Sequence, residues 1–155
     1  MTEHTYTLSE TLPEPARFVE LRRAVDVPPR SVDAAERGLP ESLYGVSAVH
    51  EPSGETVGMA RVVGDGATVF HVCDVVVHPD HQRRGLGTRL VDAVVSYLAA
   101  NAPDGAYVNL LSDVDGFYEH WGFEETAPTS KGMVVPTGDR DWGGRVEHTD
   151  GDGRE

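Results

Sequence analysis

The chain has 155 residues, enough for one domain with a hydrophobic core, and 39% of them are hydrophobic, which is typical of a soluble globular protein. No apolar run approaches the ~20 residues that a membrane span needs, so we exclude a membrane protein. With 26 acidic and 13 basic residues, the net charge of -13 excludes a general nucleic-acid binder, because the phosphate backbone would repel it.

Arginine dominates the basic residues, and Lys131 is the only lysine. This acidic, lysine-poor composition resembles that of proteins from salt-loving archaea, so we expect a halophilic, haloarchaeal protein. The first ten residues, MTEHTYTLSE, lack the basic and apolar segments of a signal peptide. The only cysteine is Cys73, which excludes an internal disulfide and fits a reducing interior. We therefore expect a cytoplasmic protein.

The first half of the chain alternates between strand and helix patterns. A strand is expected over 6–8, and a helix over 12–25, where apolar residues recur on one face. A second, short helix over 31–37 begins at a serine cap. Two segments, 43–51 and 55–64, flank the turn Pro-Ser-Gly and predict a β-hairpin.

The second half contains the longest helix pattern, over 86–100, which a strand over 68–77 precedes. A strand over 106–112, a short helix over 114–122 and a last strand over 131–135 follow. A strand, a long helix and a strand in succession predict a parallel pair in a mixed sheet. The apolar stripe of the long helix consists of Leu86, Leu90, Val94 and Leu98.

This order of elements predicts an α/β fold, with a mixed central β-sheet of about six to seven strands flanked by about four helices. We assign residues 1–135 to one domain. The remaining segment, 136–155, is acidic and rich in glycine and has little to bury, so we interpret it as a mobile tail.

The stretch VVVHPDHQRRGLGTRL joins the strand over 68–77 to the long helix. Gly85 and Gly87 at the helix start permit close backbone approach, and the unpaired N–H groups there favour an anion. Arg83 and Arg84 add donors that pair well with phosphate oxygens. The sequence therefore predicts a pyrophosphate site, without the lysine of a Walker loop or the third glycine of a dinucleotide fingerprint. A nucleotide-binding protein is one alternative.

The same stretch, together with FYEHWGF at 117–123, resembles the GCN5-related N-acetyltransferase (GNAT) family. The family signature is Gln or Arg, two variable residues, Gly, one variable residue, and Gly or Ala, after a strand. Here it runs from Gln82 to Gly87. The likeness covers residues 6–135, and the order of elements fits as well. The resemblance implies a GNAT fold and acetyl-CoA as the acetyl donor.

In such enzymes the pantetheine arm of acetyl-CoA pairs like an extra strand with the backbone before the loop, and the pyrophosphate lies on loop N–H groups. A purely structural role in a buried strand is the alternative for the valines. Both roles are compatible, because backbone and side chain serve different partners. By this resemblance the cofactor-binding residues are Val75, Val76, Val77, Gln82, Arg83, Arg84, Gly85, Leu86, Gly87 and Thr88.

Tyr118 matches the family's tyrosine near the thioester sulfur, so the resemblance implies a general acid or a cofactor contact. A phenol of ordinary pKa ~10 can protonate a departing thiolate whose thiol has a pKa of ~8.5. The aromatic residues around it are expected only to pack. Many relatives carry an asparagine seven residues earlier, where Leu111 stands here. Asn109, on the preceding strand, is therefore a weaker candidate for the local cofactor contact.

Amine attack on a thioester needs a neutral amine, so a general base is useful, directly or through water. Several relatives carry Glu or His 11 residues before the first loop residue, and counting back from Gln82 gives His71. An imidazole, with an ordinary pKa of ~6.5, suits a base near neutrality. Asp74, an acid among valines, is the other candidate, with a structural carboxylate as its alternative. Because side chains alternate along a strand, we expect Val75 to share the face of His71, opposite Asp74.

Two further features of the sequence are interpreted without a catalytic or metal-binding role. Cys73 has no readable partner that would stabilise a thiolate, so we interpret it as a small buried residue and not as a nucleophile. The sequence HPDH at 78–81 offers potential metal ligands but no others nearby, so we predict no metal.

We predict an N-acetyltransferase that moves the acetyl group directly to a primary amine, with the oxyanion held by a backbone N–H near Val76. A small-molecule amine is the leading acceptor, and a protein N-terminus or lysine is the second. By the resemblance, residues 26–44 and 126–135 shape the acceptor site. The alternative from another class is a non-catalytic acyl-CoA-binding regulatory module. We expect neither nucleic acid nor membrane as a partner, and a homodimer is left open.

Overall fold

The computed structural model describes residues 5–138, so the predicted tail over 136–155 lies outside the described residues from 139 onward. The described chain divides into two units, one ending at Glu124 and the other starting at Glu125. The helices and strands found among the described residues all lie in the first unit.

The strands form one sheet in the order β1-β2-β3-β4-β5, in which β4 and β5 are parallel and the other neighbours antiparallel. The predicted α/β fold with a mixed sheet is therefore confirmed. In chain order the elements are β1 (Tyr6–Ser9), α1 (Pro15–Ala24), α2 (Val32–Gly38), β2 (Tyr44–His50), β3 (Glu55–Gly64), β4 (Val69–Val77), α3 (Leu86–Asn101) and β5 (Tyr107–Leu110). Short 3-10 helices occupy Leu39–Glu41, Pro79–His81 and Tyr118–Trp121.

The predicted count of six to seven strands and four helices is wrong, because residues 5–138 contain five strands and three α-helices. The helix expected over 114–122 is reduced to one 3-10 turn, Tyr118–Trp121. The strand expected over 131–135 does not form. In this second unit Met133 and Val134 are 87% and 85% exposed. An apolar segment becomes a strand only when a neighbour pairs with its backbone, and no such ladder is present there.

The helices form where local signals and burial agree. Pro15 occupies the start of α1, where its missing N–H costs nothing, and Phe18 and Leu21 are buried on one face. The Ser31 Oγ accepts a hydrogen bond from the Ala34 N–H at 3.0 Å, as expected of the cap of α2. The predicted stripe of α3 is confirmed as fully buried. Among the described helices, none combines the length and apolar character of a membrane span.

The sheet carries a hydrophobic cluster on each face. On one face, Phe70 and Val72 of β4 pack with Leu86 and Leu90 of α3. On the other face, α1 and the segment around α2 pack on β3 and β4 through Phe18, Leu21, Ala35, Leu39, Met59 and Val76. The central strand β4 is therefore covered on both sides, which holds the loop after it in a fixed place.

A buried tyrosine holds the segment after β4 against β1. Tyr6 is 1% exposed, and its hydroxyl lies 2.8 Å from Nδ1 of His81. The imidazoles of His50 and His78 lie 4.9 and 6.0 Å from that of His81, measured between ring centroids. Burial, with further contributions from these two histidines and Arg84, lowers the pKa of His81 below its ordinary value.

We expect the fold to lose stability when the pH falls below about 6.5, because the unfolded chain then binds a proton that folded His81 resists. Since the folded-state pKa is the lower one, this contribution is complete above the unfolded value and is lost on acidification. Urea unfolding at about pH 7.5 and pH 5.5 should show a smaller loss for His81→Gln than for the unmodified protein. His120→Gln, at an exposed histidine, is the control. If His81→Gln retained the full pH dependence, another group would be responsible.

Candidate active site

Strands β4 and β5 separate after a short paired segment. They pair in parallel only from Val69 with Tyr107 to Val72 with Leu110, and β4 then continues to Val77. Within residues 5–138 no strand pairs with the β5 side of β4 beyond this point. The backbone of residues 73–76 therefore presents open hydrogen-bonding groups to the fork between the two strands.

A β-bulge at Asp74 changes the orientation of the residues that follow. Arg61 pairs with Cys73, and Met59 pairs with Val76, so β4 has one more residue than β3 between these two pairs. Asp74 has a φ of 55°, in the left-handed region that few non-glycine residues adopt.

The predicted face of Val75 is wrong for this reason. Val75 and Val77 pack on the α3 side, whereas Val76 packs on the α1 side. The bulge shifts the alternation of side chains between the two faces by one residue. Val75 therefore does not share the face of His71, contrary to the expectation from a regular strand.

Asp74 lies at the centre of a buried ionic cluster, which we call the Asp74 clamp and define as Asp74, Arg22 and Arg61. Its side chain is 6% exposed; Oδ1 accepts from the Arg22 Nη1, and Oδ2 accepts from the Arg61 Nε at 2.7 Å. Arg22 also donates to the Pro28 carbonyl oxygen at 2.7 Å, and Arg61 donates to the Ser42 Oγ at 3.1 Å. A carboxylate that is paired with two guanidinium groups is less available as a general base. The contacts of Asp74 therefore favour the structural role over the catalytic one.

Neither arginine of the Asp74 clamp was predicted from the sequence. Arg22 follows Phe18 by four residues and precedes Val25 by three, so it stands on the apolar stripe of α1. A charged residue on such a stripe requires a buried partner, and Asp74 among valines requires one too. That complementary signal was available in the sequence, although the pairing itself was not.

His71 lies at the fork, one residue before β4 and β5 separate. It is the parallel partner of Asn109, and its Nδ1 lies 2.7 Å from the Asn109 Oδ1. The Asn109 Nδ2 lies 3.4 Å from the Phe70 carbonyl oxygen. Both polar atoms of the Asn109 side chain thus have protein partners, so a cofactor contact by this side chain is not favoured.

Cys73, two residues further along β4, is a free cysteine of intermediate exposure. Burial raises its pKa to about 11, and the neighbouring Asp74 carboxylate acts in the same direction. The group is therefore a protonated thiol near neutral pH. This agrees with its interpretation as a packing residue and not as a nucleophile.

The loop after β4 presents a row of backbone donors. The Gln82 Nε2 donates to the Val77 carbonyl oxygen at 2.9 Å, which ties the loop to the end of the strand. Arg83 and Gly85 both have positive φ, 63° and 80°, and the first hydrogen bond of α3 runs from the Arg89 N–H to the Gly85 carbonyl oxygen. In the described part of the chain, no protein acceptor takes the N–H groups of residues 83–88. Unpaired donors at the start of a helix, with the helix dipole, suit an anion, as the sequence predicts.

The side chains of this loop differ in what they offer. Gln82, Arg83, Arg84 and Thr88 are exposed, whereas Leu86 is 1% exposed and belongs to the core. A Cβ built on Gly87 would lie 3.6 Å from Phe117, so the loop adjoins the 3-10 helix that carries Tyr118. The structure therefore places the predicted anion loop beside Phe117, the residue that precedes the predicted general acid.

Tyr118 is half-buried among aromatic rings. Its ring meets those of Phe117 and Phe123 edge to face, with centroids 5.0 and 6.1 Å apart. The nearby Trp121 donates from Nε1 to Asp92 on α3 at 2.8 Å, which anchors the short helix. Burial, followed by the charge of Asp113, raises the pKa of Tyr118 above its ordinary value. The phenol is therefore protonated at neutral pH and can donate a proton.

A cavity of about 510 Å³ lies between the β1–α1 connection and the segment from α2 to the start of β2. Glu10 and Glu36 line it together with apolar side chains and Ser42, which accepts from the Asp74 clamp. Among residues 5–138 neither glutamate forms an ion pair. Tyr44, on the wall, stacks on Tyr97, and burial and the Glu10 carboxylate raise its pKa.

The sequence HPDH does not bring metal ligands together. His78 Nδ1 accepts the Asp80 N–H at 3.1 Å, and His81 Nδ1 bonds to Tyr6. In the chain from 5 to 138 no three His, Cys, Asp or Glu side chains are arranged to hold a metal ion.

Comparison with known proteins identifies relatives of this chain. A family model described as an acetyltransferase (GNAT) domain matches residues 43–125. A GCN5-related N-acetyltransferase 2 from Arabidopsis thaliana is 34% identical over 95 residues, 60% of this chain and 36% of that protein. A histone acetyltransferase from Glycine max is 33% identical over 98 residues, 59% of this chain and 42% of that protein. A serotonin N-acetyltransferase 2 from Oryza sativa is 29% identical over 117 residues, 74% and 58% of the two chains. The chain thus spans 36% to 58% of the length of these curated relatives.

Solved structures share the fold. A protein of unknown function from Staphylococcus aureus, described as a probable acetyltransferase, has a TM-score of 0.81 and 30% identity, covering 85% of this chain and 99% of that one. A GNAT family acetyltransferase from Brucella melitensis in complex with acetyl-CoA has a TM-score of 0.58 and 20% identity, covering 79% and 84%. The second likeness concerns the fold alone.

We expect Asp74→Asn to destabilise the fold by about 3–5 kcal/mol, because it leaves the buried guanidinium group of Arg22 and the 20% exposed side chain of Arg61 without a charged partner. Asp33→Asn is the matched control, since the ion pair of Asp33 with Arg37 is exposed and should contribute under about 1 kcal/mol. Denaturant unfolding measures both. A loss for Asp74→Asn as small as that of the control would show that the Asp74 clamp does not stabilise the fold.

Proposed function

Because the chain belongs to the GNAT acetyltransferase family, we propose that it transfers an acetyl group from acetyl-CoA to a primary amine. The observation that carries this proposal is the position of three features at one end of β4. These are the open fork beside residues 73–76, the donor loop over residues 83–88, and Tyr118, whose neighbour Phe117 adjoins that loop.

The donor loop suits the pyrophosphate of coenzyme A. Its N–H groups lie at the start of α3, where the dipole adds partial positive charge, and Arg83 and Arg84 extend from it as exposed guanidinium groups. The unpaired backbone of β4 before the loop suits the amide-containing pantetheine arm, which can pair as a short strand. Membership of an acetyltransferase family supports this choice of ligand.

The proposed reaction proceeds by direct transfer. The neutral amine attacks the thioester carbon through its nitrogen, His71 accepts a proton from that nitrogen, and the carbonyl oxygen becomes an oxyanion held by a backbone N–H near Val76. The carbon–sulfur bond then breaks, and Tyr118 protonates the coenzyme A thiolate. The proton on His71 and the proton missing from Tyr118 balance, and exchange with water restores both groups.

Two alternatives are less well supported by the contacts. Asp74 remains a candidate base, but its oxygens are paired with Arg22 and Arg61. An acyl-enzyme at Cys73 would need a thiolate, and its pKa of about 11 disfavours one near neutral pH. A base acting through water is a third route, which the fork leaves room for.

A small-molecule amine is the proposed acceptor. The cavity beside α2 has a size typical of small-molecule sites, and the carboxylates of Glu10 and Glu36 favour a cationic group. A relative named as a serotonin N-acetyltransferase is consistent with this class. The relative named as a histone acetyltransferase favours the second candidate, a protein lysine or N-terminus.

We propose, from the composition, that the protein works in the cytoplasm of a halophilic organism. At ~1 M salt the Debye length is only ~3 Å, so binding would depend on short-range contacts. Backbone N–H groups and strand pairing act at that range, which makes the proposed cofactor site compatible with high salt.

We expect acetyl-CoA to raise the unfolding temperature in molar KCl and ATP not to, since a ligand at ~100 times its dissociation constant stabilises by ~2.7 kcal/mol.

Amine-dependent thiol release should then follow for small amines and fail for lysine-containing or free N-terminal peptides. Thiol release only with peptides would show that the acceptor is a protein lysine or N-terminus. A rise in unfolding temperature without thiol release for either class would favour the non-catalytic acyl-CoA-binding module. An unchanged unfolding temperature would contradict acetyl-CoA as the ligand.

We expect Tyr118→Phe to lower kcat by roughly 100- to 10,000-fold, because the leaving thiolate loses its proton donor. The dissociation constant for acetyl-CoA should change by less than about twofold, since only a hydroxyl is removed. Tyr107→Phe, at a 57% exposed tyrosine on β5, is the matched control for thiol-release kinetics. Equal kcat for Tyr118→Phe and the control would exclude Tyr118 as the acid.

A further inference from the structure

We infer that Asn109 is a positioning residue that fixes the proton of His71 on Nδ1 and leaves Nε2 free to accept a proton from the amine. This inference rests on the proposed function for the role of Nε2. It assigns Asn109 to the base and not to the cofactor, and it depends on the hydrogen bonds that join β4 and β5 at the fork.

The orientation of the Asn109 amide follows from its second partner. Its Nδ2 lies 3.4 Å from the Phe70 carbonyl oxygen, and only an N–H group can pair with a carbonyl. The opposite orientation would place two oxygens against each other. The Asn109 Oδ1 must therefore face His71.

The tautomer of His71 follows from the amide orientation. The Asn109 Oδ1 lies 2.7 Å from the His71 Nδ1, and a carbonyl oxygen can only accept. A neutral imidazole that donates from Nδ1 has its lone pair on Nε2. Within the described part of the chain the only side-chain hydrogen bond of His71 is made by Nδ1, so the protein does not use the lone pair on Nε2.

The register of the sheet makes this pairing possible at one place. His71 and Asn109 are direct partners of the parallel pair, which ends one residue later at Val72 and Leu110. A polar pair at the last rungs of the ladder is therefore held rigidly by backbone hydrogen bonds, yet adjoins the open fork. A base needs both this fixed orientation and this access.

The tautomer can be measured without turnover. In the full chain at about pH 8, nitrogen-15 NMR correlations of the His71 ring, assigned with His71→Gln, should show the Nδ1-protonated form. Asn109→Leu, which keeps the size and removes the acceptor, should release the ring to a mixture of tautomers. Asn101→Leu is the matched control, because Asn101 bonds only to the Tyr97 carbonyl oxygen on α3. An Nε2-protonated ring in the unmodified protein, or no change in Asn109→Leu, would overturn the inference.

Kinetics provides the second test. Asn109→Leu should lower kcat by about 10- to 100-fold and leave the dissociation constant for acetyl-CoA within about twofold. Asn109→Asp should retain more activity and move the acid limb of the pH profile upward by about one unit, because a carboxylate favours the imidazolium. A cofactor role would instead weaken acetyl-CoA binding in both variants. If no amine supports thiol release, the proposed function fails while the NMR result still decides the tautomer.

Discussion

The pairing of one buried carboxylate with two arginines is the constraint on which the rest of the site depends. Asp74 would be costly to bury alone, and the arginines that neutralise it come from α1 and β3. The ion pairs therefore fix the positions of α1, β3 and β4 relative to one another. The bulge that this pairing accompanies decides which groups of β4 face the fork and which face the core. The bulge of β4 and the buried ion pairs thus coincide at one residue, Asp74.

The charge of the whole chain and the chemistry of the loop oppose each other. A protein with a net charge of -13 repels anions at long range, yet the loop over residues 83–88 collects donors for one. Under the proposed function the two are compatible, because the donors are fixed backbone groups that act at contact distance. An anion that binds there is selected by fit and not by the field of the protein.

Local features were predictable from the sequence. The Ser31 cap, the buried stripe of α3, the hairpin and the donor loop each depend on residues close together in the chain. The bulge was not predictable, because the partners of Asp74 stand 13 and 52 residues away. The strand expected over 131–135 was wrong since an apolar segment does not reveal whether a neighbour will pair with it. His71 and Asn109 were both named, but their pairing follows from the parallel register, which no local pattern gives.

Leu86 belongs both to the donor loop and to the hydrophobic core. Its side chain is 1% exposed in the core formed with α3, while its backbone N–H belongs to the donor row. A ligand held by that row would therefore brace the same residue that the core needs. Under the proposed function, the folded fraction of the protein would rise and fall with the supply of the acetyl donor. Because proteases act on opened chains, the lifetime of the enzyme in the cell would then follow the metabolic state that it serves.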